Sequence, residues 1–274
     1  MKVNQILKML LQYILLIIGG FAMILPFLWM LSTSLKNSNA VFVMPPQFIP
    51  SFITLDNFVE VFSAFPFLRF MLNSVFVAVL ATLGLLIVSS MAGYAFARLD
   101  FWGKELLFML YLGTMMIPSQ VTLTPLFIIM RMINWTDSYQ ALILPGFISA
   151  FNVFLLRQFF EGIPKSLDEA VYIDGGGHWT IFLRIIIPLS KPVLATAGIL
   201  GFMGSWNNFL WPLIICSDTK KMTLPLGLSL LQGRWTTNWN MLMAGTLISV
   251  IPIIIVYVFA QKYIIKGLSH TGIK

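Results

Sequence analysis

The sequence predicts an all-α membrane protein with six transmembrane helices. Three observations support this: the 274-residue chain is 58% hydrophobic, only 10% of its residues are charged, and the charges leave long uncharged stretches between them. A soluble domain carries far more charge on its surface. Because lipid offers no hydrogen-bond partner to an open backbone, such stretches are predicted to cross the bilayer as helices.

The predicted spans are the stretches that contain no Asp, Glu, Lys or Arg and reach about 20 residues, the length that crosses the hydrocarbon core. They are Met9–Leu35, Phe70–Ala97, Leu106–Met130, Ser138–Leu156, Pro192–Ser217 and Trp235–Gln261. The first span follows Lys2 and Lys8, as a signal peptide would. Its apolar run is too long for a signal peptide and no A-x-A site follows, so it is predicted to remain as a helix.

The distribution of charge predicts the orientation of the chain. When the spans are followed in order, most of the 17 lysine and arginine residues fall on the side of the N-terminus, which predicts that both termini are cytoplasmic. The net charge of +7 is spread over short loops. It therefore indicates contact with membrane lipid and not with nucleic acid. The single cysteine, Cys216, excludes an internal disulfide and a cysteine-rich metal site.

Two connecting segments are long. Lys36–Arg69 contains Pro45, Pro46 and Pro50 and is predicted to pack as an extended cap on the outer face. The inner loop, residues 157–191, contains the charged stretch SLDEAVYIDGGG. There, Ser166 followed by Glu169 forms a capping-box pattern, which predicts that a short helix starts at Ser166.

The end and the faces of this short helix also follow from the pattern. Asp174 and Gly175 are expected to end it, because glycine readily adopts positive φ. Leu167, Ala170 and Val171 fall on one predicted apolar face. A helix of two turns is unstable alone in water. It must lie either on its own bundle or in a groove of another subunit, and the pattern leaves both possibilities open.

The same stretch resembles the EAA loop of ABC importer permeases. The resemblance rests on Glu169, Ala170, Asp174 and Gly175, followed by Phe182, Ile185, Pro188 and Pro192, with Val171 where the family has a second alanine and Ile187 in place of leucine. In that family the loop forms a coupling helix that docks into an ATPase subunit. The segments AGYAFARLDFWGK, PSQVTLTPLF, SWNNFLWPLI and TLPLGL are similar to the carbohydrate-uptake branch, and more narrowly to the maltose-permease type of second subunit.

The resemblance implies a type I ABC importer transmembrane-domain fold. Its core would cover residues 70–265, after a first helix and outer loop at 1–69 and before a cytoplasmic tail at 266–274. The chain would be a permease subunit that forms half of the translocation path of an ATP-driven, binding-protein-dependent importer of oligosaccharide-type sugars in a bacterial inner membrane. The ATPase-coupling residues it implies are Ser166, Leu167, Glu169, Ala170, Val171, Asp174 and Gly175.

The implied partners are a second homologous permease subunit, two nucleotide-binding ATPase subunits and an extracellular or periplasmic solute-binding protein. The sequence contains no G-x-x-x-x-G-K-[ST] motif, the phosphate-binding loop of many ATPases. ATP and Mg would therefore be used by the partner ATPase subunits. This chain is therefore predicted to bind no cofactor and to be no enzyme. The predicted spans contain no carboxylate, which disfavours a proton- or sodium-coupled transporter.

Polar amides inside the spans are candidates for the substrate path. Gln120, Asn207 and Asn208, with Trp206 as a stacking face, are predicted to line it, since sugars need hydrogen-bonding amides beside an apolar ring. Hydrogen bonding between helices and an aromatic belt remain the alternatives. Asn73 is interpreted as such a structural amide. An importer of glycerol 3-phosphate or another small solute, a secondary transporter and a purely structural subunit remain open as functions.

Overall fold

The computed structural model describes residues 3–233 and 237–269, and regular structure within these ranges is almost wholly helical. One isolated antiparallel bridge joins Gln232 and Thr237. The α-helices are α1 (Val3–Ser34), α2 (Asp56–Ala64), α3 (Phe67–Arg98), α4 (Lys104–Gly113), α5 (Ser119–Met132), α6 (Tyr139–Ile143), α7 (Ala150–Glu161), α8 (Ser166–Ile173), α9 (His178–Ile181), α10 (Ile187–Leu189), α11 (Lys191–Trp206), α12 (Leu210–Ile215), α13 (Leu224–Ser229) and α14 (Trp239–Ser269). A π-helical turn, Phe182–Ile186, joins α9 to α10.

The described helices give four to six candidate spans, against the six predicted. Four are long and apolar enough to cross a membrane unbroken, and they are Leu7–Ser34, Phe67–Arg98, Tyr139–Glu161 and Trp239–Phe259. Two further pairs are bent: Lys104–Met116 with Ser119–Met132 by 100°, and His178–Leu189 with Lys191–Trp206 by 78°. Six spans result when each bent pair counts as one. The start of the sixth predicted span at Trp235 and the end of the tail, residues 270–274, lie outside the described residues.

The third predicted span is broken at Pro118. Pro118 is the N-cap of α5 and follows a 3₁₀ turn at Thr114–Met116. Proline has no N–H to continue the helix that precedes it. Pro125 lies inside α5 and does not end that helix.

The fifth predicted span, Pro192–Ser217, is not a single continuous helix. Helix α11 ends at Trp206, and α12 starts separately at Leu210. The side-chain oxygen of Asn208 accepts a hydrogen bond from the backbone N–H of Trp211 at 3.3 Å. An asparagine side chain that bonds to nearby backbone competes with the helix, which explains the break.

The chain divides into two compact units, of which the first holds most of the segment predicted to face outside. It comprises the residues up to Leu68 together with Leu228–Ile251. The segment predicted as an extended cap contains helix α2. Lys36 is 1% exposed, and its ammonium donates to the carbonyl of Gln47 and lies 4.6 Å from the centre of the Trp29 ring. Asn57 and Asn240 both donate to the Lys36 carbonyl, so hydrogen bonds hold both the side chain and the backbone of Lys36.

The second unit, Arg69–Gly227 together with the residues from Pro252 onward, contains two hydrophobic clusters. One packs α3, α6 and α12 around Val77, Ala141, Trp211 and Ile215. The other is formed largely by loop 157–191 and includes Leu156, Phe160, Ile181, Phe182 and Ile186. These clusters provide the rigid support for the two sites described below.

Gly227 is, with Gly84, one of the two glycines in this unit that an aromatic ring approaches most closely, and it gives a first prediction. A Cβ at this position would lie 2.1 Å from the ring of Phe70, which is 1% exposed. We expect Gly227→Ala to lower the free energy of unfolding by about 1–3 kcal/mol through overpacking. Thermal unfolding of the purified protein in detergent measures it. Gly113→Ala is the matched control, since its Cβ meets nothing within 4 Å. Equal melting temperatures for both variants would contradict the prediction.

Candidate functional site

Helix α8 is the centre of the candidate coupling site, and it begins differently from the prediction. Ser166 makes no cap hydrogen bond, so the predicted capping box with Glu169 is wrong. Lys165 already has helical backbone angles, with φ −67° and ψ −23°. The N–H groups of Asp168 and Glu169 therefore bond to the carbonyl of Lys165, at 2.9 and 3.1 Å. The backbone itself satisfies these donors, which leaves the Ser166 side chain no capping role.

The end of α8 agrees with the prediction. Gly175 has φ +76°, in the left-handed region, and its N–H bonds to the carbonyl of Tyr172 at 3.0 Å. The N–H of Gly176 bonds to the carbonyl of Val171 at 2.8 Å. Together these two bonds form a Schellman motif, which satisfies carbonyls at the end of the helix. A second glycine is needed here, because a Cβ on Gly176 would lie 2.5 Å from Cγ1 of Val171.

A buried ion pair attaches α8 to the end of α3. Arg98 Nε lies 3.4 Å from Asp168 Oδ2, and the two side chains are only 3% and 12% exposed. Arg98 Nη2 also donates to the carbonyl of Ile163 at 2.6 Å, just before α8 starts. Neither Arg98 nor Asp168 was among the site residues predicted from the sequence. The available signal was an acidic residue in the first helical turn, but nothing local identifies its partner 70 positions away.

The Arg98–Asp168 ion pair lies on the buried face of α8. Asp168 and Val171 face the bundle, whereas Leu167 and Ala170 are exposed. The predicted single apolar face of Leu167, Ala170 and Val171 is therefore divided between the two sides. Ile173 is 86% exposed, although isoleucine is normally among the most buried residues. Helix α8 is thus anchored on one side and presents apolar groups on the other.

A polar depression of about 610 Å³ lies beside α8, between Arg98, Lys165, Glu169 and Tyr172. Tyr172 and Tyr94 both place their hydroxyls at hydrogen-bonding distance from Nδ1 of His178, at 3.0 and 3.3 Å. These contacts link α8, α3 and α9 around one imidazole. His178 is thus an exposed structural residue, and the described residues contain no group of three His, Cys, Asp or Glu side chains arranged to hold a metal ion.

Arg157 fixes the start of loop 157–191. Its guanidinium pairs with Glu105 at 3.0 Å and with Glu161 at 2.9 Å, and lies 3.8 Å from the centre of the Phe108 ring. These contacts join the end of α7 to α4. Arginines therefore hold the loop at two places, Arg157 at its start and Arg98 at α8.

The residues predicted to line the substrate path occupy different environments. Asn208 lines a cavity of about 390 Å³ that also contains Trp211. Gln120 and Asn207 are exposed but are not part of its wall. Trp206 is 2% exposed and stacks on Phe202 with ring centres 5.7 Å apart, so it offers no stacking face in this cavity. The indole wall of the cavity comes from Trp211 instead.

Asn73 has the structural role inferred for it. Its Nδ2 donates to the carbonyls of Lys220 and Met222, at 3.0 and 2.8 Å. Its Oδ1 accepts from the hydroxyl of Tyr139 at 2.8 Å. All polar atoms of this amide are thus used to hold the protein together.

Comparisons with known proteins point to one family. Residues 86–270 match the family described as "Binding-protein-dependent transport system inner membrane component". The chain is 40% identical over 228 residues to the arabinooligosaccharides transport system permease protein AraQ of Halalkalibacterium halodurans, covering 83% of this chain and 82% of AraQ. It is 34% identical over 278 residues to the trehalose/maltose transport system permease protein MalG of Thermococcus litoralis, covering 96% of this chain and 98% of MalG.

A solved structure has the same fold. One chain in the crystal structure of a bacterial ABC transporter involved in the import of the acidic polysaccharide alginate superposes with a TM-score of 0.85. Its sequence identity is 26%, and the match covers 96% of this chain and 99% of that chain. The observed helices therefore form the fold of an ABC importer transmembrane subunit.

Proposed function

The chain belongs to the binding-protein-dependent transport system inner membrane component family, and we propose that it forms one half of the permease of an ATP-driven sugar importer. A second, homologous permease subunit would supply the other half. Two ATPase subunits would bind ATP and Mg and drive the cycle, and a solute-binding protein would deliver the sugar. The chain itself breaks no bond and binds no nucleotide. The sugar relatives AraQ and MalG support this substrate class.

The observation that carries the proposal is the two-sided character of α8. One side is fixed to α3 by the pair Arg98–Asp168, and the other exposes Leu167 and Ile173. A helix that only connected two spans would have no reason to expose apolar side chains beyond the membrane. A groove on an ATPase subunit would cover them, as amphipathic helices are covered elsewhere.

The mechanism follows from this attachment. Closure of the two ATPase subunits around ATP moves their grooves, and each groove carries a docked α8 with it. Because α8 is fixed to the end of the long helix α3, the displacement passes to the bundle as a rigid-body motion and not as local bending. Alternating access of the cavity to the two membrane faces results. The proposed coupling residues are those of the helix and its end: Ser166, Leu167, Glu169, Ala170, Val171, Asp174 and Gly175.

The proposal includes a topology. Both termini and loop 157–191 would face the cytoplasm of a bacterium, and Lys36–Arg69 would face the outside. The division into residues 1–69, 70–265 and 266–274 remains part of this proposal. Uptake by proteoliposomes tests the function: the assembled importer should accumulate sugar with ATP on the ATPase side and no proton gradient. Equal uptake without the ATPase subunits would contradict it.

Glu169 gives a prediction for docking. Its side chain is exposed, borders the depression beside α8, and forms no ion pair among the described residues. We expect Glu169→Gln to weaken binding of the ATPase subunit at least about fivefold, because a lost charged hydrogen bond costs about 1–3 kcal/mol. Co-purification at graded salt measures it. Glu60→Gln is the control, an exposed glutamate on α2, at the other predicted membrane face. Unchanged co-purification of the Glu169 variant would count against docking through this residue.

A further inference from the structure

The segment that follows α1 exposes an apolar surface that the proposed function does not use. No charged residue lies between Lys36 and Asp56. Within residues 42–55, the exposed apolar side chains include Phe42, Met44, Ile49, Phe52, Ile53 and Leu55. Met44 is 84% exposed and Ile49 is 80% exposed. Large apolar groups that are exposed together usually mark a surface that meets a protein partner or a membrane.

Contacts with α1 place residues 42–55 beside the last two turns of that helix. The hydroxyl of Ser32 donates to the carbonyl of Phe48, and the Phe48 ring lies 5.7 Å from the ring of Trp29. The N–H of Thr54 bonds to the carbonyl of Leu35 at 3.0 Å, so the far end of the segment returns to the end of α1. At 1.5 Å per residue, Trp29 lies about 8 Å before that end. The segment therefore folds back along α1 and does not project from it.

The length of α1 indicates where this level falls in a bilayer. The candidate span Leu7–Ser34 contains 28 residues. As a helix it is about 42 Å long, which matches a bilayer measured with its headgroup regions and exceeds the hydrocarbon core alone. The last turns of α1 therefore lie in the interfacial region, where tryptophans such as Trp29 are enriched. Residues 42–55 lie at the same depth.

A groove of about 530 Å³ opens between α1 and this segment. Its wall residues are Leu25, Pro26, Trp29, Met30, Phe48 and Met243. All of them belong to the first unit, so the groove is formed by this unit alone. The indole N–H of Trp29 is the only polar side-chain group among these six residues. Water gains little in such a groove, whereas an acyl chain gains apolar contact.

The backbone of the segment is suited to a membrane interface. Three of its residues are prolines, which have no N–H to leave unpaired. The carbonyls of Gln47 and Phe48 accept hydrogen bonds from the side chains of Lys36 and Ser32. Fewer backbone groups therefore depend on water, which lowers the cost of moving the segment toward lipid.

We propose that residues 42–55 lie in the membrane interface at the Ser34 end of α1, with their exposed apolar side chains in contact with lipid and an acyl chain in the groove beside Trp29. In the proposed topology this is the outer leaflet. A surface that receives a solute-binding protein would have to project into water, and this segment folds back along α1. Charges return at Asp56 and Glu60, both exposed on α2, where the chain leaves the lipid. The inference goes beyond the proposed function, because it gives the first unit a lipid anchor of its own.

Spin labelling tests this contact in the assembled importer, in vesicles of phosphatidylethanolamine and phosphatidylglycerol. Ile49→Cys and Phe52→Cys are made in a Cys216→Ser background with cysteine-free partner subunits. Collisions of the label are measured with oxygen, which concentrates in lipid, and with a water-soluble nickel chelate. Ser63→Cys is the matched control, an exposed position on α2 in the same unit. We expect the ratio of oxygen to nickel collisions to be about tenfold higher at both positions than at the control, because lipid excludes the polar chelate.

A ratio equal to that of the control would show that the segment contacts water and would overturn the proposal. Few collisions with either reagent would show that a protein subunit covers the segment, which would overturn it as well. The unaltered importer gives a second test, in which a phospholipid with a photoreactive diazirine in its acyl chain should label Phe48 and its neighbours together with α1. Label on α1 alone would contradict the proposal. ATP-driven uptake by the same vesicles tests the proposed function separately, so either one can fail while the other stands.

Discussion

Gly175→Val is expected to reduce ATP-driven uptake by more than tenfold while the protein still inserts and folds. Gly175 has φ +76°, and valine in this left-handed conformation is strained by about 1–3 kcal/mol. Helix α8 contains eight residues, so it has little internal stability to resist that strain. The strain is relieved by unwinding the last turn, which displaces Ile173 and Asp174 from the proposed docking surface. ATP hydrolysis by the partner would then continue without transport.

Two further variants separate backbone strain from added bulk. Gly177→Val adds the same side chain two positions later, where φ is −115° and a Cβ meets nothing within 4 Å. It should transport normally. Gly175→Asn should recover much of the activity, because asparagine tolerates the left-handed region better than other residues. Uptake and ATPase rates in proteoliposomes measure all three variants. Normal uptake by Gly175→Val would show that the end of α8 has no role in coupling.

The features of α8 that were predictable from the sequence are the local ones. The glycine that ends the helix could be predicted, because the φ requirement belongs to a single residue and only glycine meets it freely. The capping box could not be excluded in advance, since it fails only because Lys165 adopts helical angles of its own. The ion pair Arg98–Asp168 brings together residues from separate helices, and no local pattern identifies such a pair.

For the spans and the cavity, too, local features could be predicted from the sequence and tertiary contacts could not. Uncharged length predicted that six segments cross the membrane, but it could not distinguish one straight helix from a helix interrupted at Asn207 and Asn208. Trp206 and Trp211 lie in one short apolar stretch, and composition alone does not indicate which of the two indoles borders the cavity. Both indoles are buried, and of the two only Trp211 borders the cavity. Side-chain direction at a broken helix depends on tertiary packing, which the sequence pattern does not contain.

Asp168→Leu is expected to cause the largest loss of stability, because it leaves Arg98 charged and buried without its partner. Removing one member of a buried ion pair destabilises a protein by about 3–5 kcal/mol. Helix α8 depends on this pair for its attachment, so we expect it to separate from α3 and transport to fall below about a tenth. Trypsin cleavage at the neighbouring Lys165 should accelerate, and this can be followed by mass spectrometry. Asp100→Asn is the control, since Asp100 is 99% exposed and pairs with Lys104 at 3.6 Å, a contact worth at most about 1 kcal/mol.

The double variant Arg98→Leu/Asp168→Leu distinguishes positioning from direct docking. Replacing both members of a buried pair by apolar side chains is often close to neutral for stability. Resistance to trypsin should therefore return, and the coupling energy from the double-mutant cycle gives the strength of the attachment. If transport returns with it, Asp168 is a positioning residue that holds α8 against α3 so that motion of the helix reaches the bundle. If resistance to trypsin returns but transport does not, the carboxylate of Asp168 itself takes part in docking. Normal transport by the single variant Asp168→Leu would show that the force reaches the bundle by another route, and the rigid-body mechanism proposed for α8 would be wrong.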